Sequence, residues 1–88
     1  MKLLYCPTCH DIYNLKHEPK TCLCGATSGV YRSDGLTVDV GGNPVVLGIH
    51  NTSFVEAVRN IPLEGMGKEF TAFVVPKNCD RVKKHNHV

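Results

Sequence analysis

Four of the five cysteines in the chain come as two tight pairs, Cys6-Pro7-Thr8-Cys9 and Cys22-Leu23-Cys24, with twelve residues between the pairs. Two thiols on each of two short turns can close a tetrahedral cage around one soft metal ion, and zinc most often fills such a cage. Cys6, Cys9, Cys22 and Cys24 are therefore the expected ligands of one zinc. Iron is the competing ion, because thiolate softness alone does not separate the two. Four protein ligands leave no open coordination position, which makes the expected site structural rather than catalytic. Length supplies the motive. A chain of 88 residues buries roughly 60–65% of its unfolded surface, and a structural zinc adds on the order of 10–16 kcal/mol of apparent binding energy in small modules.

Other residue patterns compete for attention. Cys6-Pro7-Thr8-Cys9-His10 also fits the C-x-x-C-H pattern of covalent haem attachment, with Met66 as the axial partner. The second cysteine pair and the strand-rich pattern argue against haem. Cys79, His85 and His87 could form a second soft-ligand site near the C-terminus, although a solvated tail with a free thiol is the expectation there. Gly65-Met66-Gly67-Lys68 could cradle an anion on backbone amides with Lys68 as the counter-charge. Asn51 and Ser53 lie where a helix start would offer unpaired amides to the same group. The plain alternatives are a flexible loop and an ordinary helix cap. The Gly65–Lys68 loop lacks the spacing of a phosphate-binding Walker loop.

No enzyme constellation emerges. There is no serine elbow and no His-x-x-x-His pair, and Asp34, Asp39 and Glu56 have no spacing that marks an acid–base couple. Pairing Cys79 with His50 as nucleophile and base has no support in the pattern. The expectation is a non-enzyme.

The paired cysteines resemble the zinc-ribbon and rubredoxin-like knuckle families, whose usual turn is Cys-Pro-x-Cys-Gly. The resemblance covers roughly residues 3–30 and implies Cys6, Cys9, Cys22 and Cys24 as ligands. Two departures stand out: His10 occupies the position where glycine is usual, and the second pair has one intervening residue instead of two. No family is recognised for residues 30–88.

The net charge is +2, unevenly spread. Residues 30–76 carry three bases (Arg32, Arg59, Lys68) against five acids, whereas residues 77–88 carry Lys77, Arg81, Lys83 and Lys84 against Asp80 alone. A mildly acidic body with a basic tail lacks the broad basic face of a dedicated nucleic-acid binder. The opening Met1–Tyr5 runs into a cysteine without an apolar core of signal-peptide length, and no stretch approaches the roughly 18–20 apolar residues of a membrane span. Close cysteine pairs and an odd cysteine suit a reducing compartment, so the expected location is the cytoplasm.

The elements that must hold these residues follow from periodicity. Leu3–Tyr5 and Ile12–Leu15 flank the first cysteine turn as short strands. Val30–Arg32 reads as a strand, Ser33-Asp34-Gly35 as a turn, and Leu36–Val40 alternates as a half-buried strand. Gly41–Pro44 breaks it before the apolar strand Val45–Ile49, which suggests a hairpin with a four-residue loop. Ser53-Phe54-Val55-Glu56 matches a capping box, predicting a helix over 53–60 that Pro62 stops. Glu69–Val75 resumes strand character.

The expected fold is α+β: a zinc ribbon over residues 1–29, packed on a small antiparallel sheet of three or four strands with one short helix in 30–76. A basic flexible tail over 77–88 follows. The expected function is a non-catalytic zinc module that recognises a macromolecular partner, a protein first. A small anionic ligand or nucleotide at Asn51, Ser53, Gly65, Gly67 and Lys68 is the alternative, and nucleic acid held by the basic tail is the second.

Overall fold

The structure is a computed structural model and describes residues 2–85. Over these residues the chain is α+β, with two four-stranded sheets and one short helix. The strands are β1 (Lys2–Tyr5), β2 (Ile12–Asn14), β3 (Lys20–Thr21), β4 (Ser28–Tyr31), β5 (Val38–Gly41), β6 (Val45–Ile49), β7 (Ala72–Val74) and β8 (Val82–His85), and α1 (Asn51–Arg59) lies between β6 and β7. The first sheet has the order β2-β1-β6-β7 and is antiparallel throughout. The second has the order β3-β4-β5-β8, antiparallel except for the parallel pair β5–β8. Among the described residues no helix is long and apolar enough to cross a membrane.

Alternation along the strands builds the core between the sheets. Leu4, Tyr13 and Val46 turn inward from the first sheet, Val38 and Val40 from the second, and Leu15 and Val82 complete the buried set. The sheets pack tightly at Gly29, where a Cβ would stand 2.6 Å from Leu4 Cδ1 and 2.9 Å from Leu15 Cδ2. Buried Cys6 and Cys22 belong to this same core, so the metal-ligand turns are continuous with the packing.

Several sequence expectations need correction. The apolar runs at 36–40 and 45–49 do not form a hairpin: β5 pairs with β4 and β8, and β6 pairs with β1 and β7. Residues 42–44 carry the chain from one sheet to the other, with Gly42 and Asn43 at positive φ. Both strands bury their alternate residues in one core from opposite sides, so periodicity alone cannot tell this crossover from a hairpin. The strand expected at Val30–Arg32 lies two residues earlier at its start, because Ser28 and Gly29 pair with Gly41 and Val40.

The helix starts at Asn51, and its cap is His50 rather than Ser53: His50 Nδ1 accepts from the Ser53 amide at 3.3 Å. Ser53 is thus inside the first turn, donating through Oγ to the His50 carbonyl (3.1 Å) and accepting from the Thr71 amide (3.0 Å). No helix residue is buried. Besides the Ser53–Thr71 hydrogen bond, Phe54 ties the helix to the rest, its ring meeting Phe70 edge-on at 5.0 Å.

The segment expected to be a loose tail holds a strand. Val82–His85 pair with Val38–Gly41, the Val38 amide donates to the Arg81 carbonyl at 2.9 Å, and Val82 is only 7% exposed. One apolar residue in a basic run suffices here because it falls opposite Val38, at the centre of the core. His87 lies outside the described residues.

Candidate metal centre

Strand β1 delivers Cys6 into the first turn. The Cys6 amide donates to the Asp11 carbonyl at 2.9 Å and the His10 amide donates to the Cys6 carbonyl at 2.8 Å, so the chain folds back within five residues. His10 has φ +62°, the left-handed conformation that glycine adopts most cheaply. Its Nδ1 is hydrogen-bonded to the Tyr5 hydroxyl, which gives the strained residue a partner. The second turn repeats the plan: the Cys22 amide donates to the Thr27 carbonyl (3.1 Å), the Gly25 amide donates to the Cys22 carbonyl (3.2 Å), and Gly25 has φ +77°.

The two turns bring four thiols together. The Sγ atoms of Cys6, Cys9, Cys22 and Cys24 all lie within 4.8 Å of one another, with Cys6–Cys24 at 3.8 Å and Cys22–Cys24 at 3.5 Å. All four are free thiols. Metal–sulfur bonds of about 2.3 Å at tetrahedral angles place sulfurs roughly 3.8 Å apart, so the four are positioned to bind one metal ion. The single residue between Cys22 and Cys24 does not prevent closure.

Local dipoles prepare the sulfurs unequally. Cys22 is pulled down to about 5, first by the Thr27 side chain and then, against desolvation, by the Thr27 amide, which donates to Cys22 Sγ at 3.4 Å. Cys6 is also lowered, chiefly by the backbone amide of Cys9. Cys24 has the Ala26 amide drawing it down, but the neighbouring Cys22, desolvation, Cys9 and Cys6 together push it up to about 12. Crowded thiols cannot all ionise without a cation among them. A divalent ion relieves that conflict by binding all four as thiolates.

Three supporting residues escaped the sequence analysis. Asp11 Oδ2 accepts from the Leu23 amide at 3.2 Å, tying the first turn to the second. Buried Thr27 takes a 2.9 Å hydrogen bond with the Tyr13 hydroxyl behind the sulfurs, and burial raises the Tyr13 pKa. Asp11 two residues after Cys9, and Thr27 five after Cys22, were available as signals but mean nothing until the turns are placed side by side.

The remaining candidates are elsewhere. Cys79 packs against the core edge, and its carbonyl accepts from the Val82 amide at 3.1 Å. His85 Nε2 lies 2.8 Å from Asp39 Oδ1, which also holds Arg32. Among the described residues the four paired cysteines are the one group of three or more such ligands that converges. Lys68 Nζ stands 3.8 Å from Glu56 Oε2 in the second turn of α1, while the Ser53 amide is taken by His50. Gly65 has φ +84° and both Gly65 and Gly67 face open space. Met66 is 92% exposed on that loop.

No protein-family model matches the chain, and no curated protein or solved structure matches it either.

Proposed function

We propose that the chain is a non-catalytic zinc module of the ribbon type, in which one zinc joins the two knuckle turns and the surrounding surface receives a protein partner. The observation that carries the metal part is the convergence of four free Sγ atoms within 4.8 Å. Zinc suits it because four thiolates satisfy its tetrahedral preference. The same cage would hold iron. Its closed coordination supports a structural role, and reduced thiols at its core suit a reducing compartment such as the cytoplasm.

A partner-binding role is supported by apolar side chains left in solvent: Leu23 at the tip of the second knuckle, and Leu63 and Met66 in the loop after α1.

Elemental analysis of the purified chain should give one zinc per chain, and cobalt substitution should give the absorption of a tetrahedral thiolate site. Iron at full stoichiometry would replace zinc in this reading, and a metal-free chain with the cysteines in disulfides would end it. A fluorescent mixed-sequence DNA duplex should not bind at moderate salt. Tight binding that weakens steeply with salt would move the proposal to nucleic acid.

A further inference from the structure

Each sheet ends in two edge strands, and an unprotected edge invites another strand. Two of the four edges carry lysines, and a third is flanked by an acid. β3 carries Lys20, β8 carries Lys83 and Lys84, and β2 is preceded by Asp11, whose carboxylate is bound to the second knuckle. β7 differs. From Thr71 to Val75 the chain has no ionisable residue, and all three strand residues are exposed, Phe73 at 53% and Val74 at 65%.

The ladder shows which groups this edge offers. The His50 amide donates to the Thr71 carbonyl at 2.9 Å, and the Val75 amide donates to the Val46 carbonyl at 2.8 Å. Residues alternate between facing the partner strand and facing away in an antiparallel ladder. Thr71, Phe73 and Val75 therefore turn their backbone groups toward β6, and Ala72 and Val74 turn theirs outward. The outward edge presents two N–H and two C=O groups, and residues 71–75 place no ionisable side chain among them.

We propose that β7 pairs with the β7 of a second copy of this chain, antiparallel about a two-fold axis through Phe73. In that register Ala72 lies opposite Val74 of the other copy, and each of the two such pairs exchanges both hydrogen bonds. Phe73 meets its own copy in a non-hydrogen-bonded pair, where side chains approach most closely. The symmetry selects an uncharged edge. A two-fold axis sets a strand against itself, so the lysines of β8 would face lysines while β7 brings no like charges together. Pro76 has no amide hydrogen and stops the ladder beyond the strand, and pairing consumes both β7 edges, so the assembly closes at two. Phe70, Phe73 and Val74 leave roughly 300 Å² of apolar surface exposed, taking about 200 Å² for a whole large side chain. A standard interface covers about 800 Å² per partner, so this contact is small and the dimer is a dissociable one.

The proposal is tested by sedimentation velocity on the full metal-loaded chain from about 5 to about 500 μM, the range in which a micromolar dimer titrates. The wild type should pass from monomer to dimer. Val74→Lys should raise the dissociation constant at least ~10-fold by setting a lysine beside the free edge, with an unchanged circular dichroism spectrum and metal content. The double variant Ala72→Glu/Val74→Lys should restore the dimer, because this register puts each new acid opposite a new base. A wild type that stays monomeric across the range overturns the proposal. So does a Val74→Lys chain that dimerises as well as wild type, or a double variant as monomeric as the single one.

Discussion

Gly42 lies against the carbonyl of Ala26, so closely that a Cβ on Gly42 would stand 1.9 Å from that oxygen. The contact joins the crossover between the sheets to the second cysteine turn, one residue from the Thr27 amide that donates to Cys22 Sγ. The backbone of Gly42 is also at φ +78°, where an L side chain is strained.

Gly42→Ala should therefore destabilise the chain by at least ~2 kcal/mol, since the side chain meets backbone that cannot rotate away. It should also weaken metal retention, because Ala26 must move and Thr27 moves with it. Chemical denaturation with and without a chelator measures the two effects. Gly35 has a similar φ of +70° but open space around it. Gly35→Ala should show the conformational penalty of about 1 kcal/mol without loss of metal retention.

Cys22→Ser should cost at least ~3 kcal/mol of stability in the metal-loaded protein, as the metal's binding energy is also folding energy. Cys24→Ser should cost less. Cys22 is buried and receives the Thr27 amide, whereas Cys24 is exposed and water can stand in for it. Chelator competition on the two variants checks the order. Equal retention of metal by Cys22→Ser and wild type would show that the cage is not the binding site.

Much of the candidate centre was legible in sequence because its ligands are local. Cys6 and Cys9 share one turn, Cys22 and Cys24 another, and short-range spacing suffices to place them. The left-handed His10 was legible only as a departure from glycine. Strand partners were not legible, since β1 pairs with β6 some forty residues away and β5 with β8, and local periodicity carries no information about which sheet a strand joins. The helix cap failed for a different reason. Ser53 and Glu56 satisfy a capping box on paper, but His50 accepts the same amide and Ser53 is used to bind Thr71.

Acid should loosen the second sheet. Asp39 is held down to about 2, first by the Arg32 hydrogen bonds and, against partial burial, also by His85. A carboxyl depressed in the folded state contributes stability that is complete above its unfolded value of 3.8. That contribution disappears as pH falls through about 2. Asp39→Asn should lose roughly 1 kcal/mol near neutrality, a modest figure because Arg32 is half exposed and solvent screens the pair. The variant's deficit should close as pH falls through this window. Urea melts at successive pH values give the comparison, and parallel curves for wild type and variant would contradict the assignment.

Truncation after Pro76 should destabilise the fold, although composition alone makes residues 77–88 look dispensable. Removing β8 strips Val82 from the core beside Val38, opens the whole length of β5, and takes the Arg81 carbonyl from the Val38 amide. Arg81 also reaches Thr37 Oγ1 at 3.5 Å and Asp34 Oδ2 at 3.9 Å, so the turn before β5 loses a neighbour. Burial of one valine contributes about 1.5–3 kcal/mol, and an 88-residue domain has only about 5–10 kcal/mol to lose. The truncated chain should therefore melt at least ~8 °C lower. Val82→Asp in the full chain should reproduce most of this loss, because it buries a carboxyl against Val38 while leaving every basic residue in place. Lys83→Ala and Lys84→Ala should leave the melt near wild type, since both side chains are exposed. If the truncated chain melts with the wild type, β8 does not dock, and the basic segment is an accessory of charge alone.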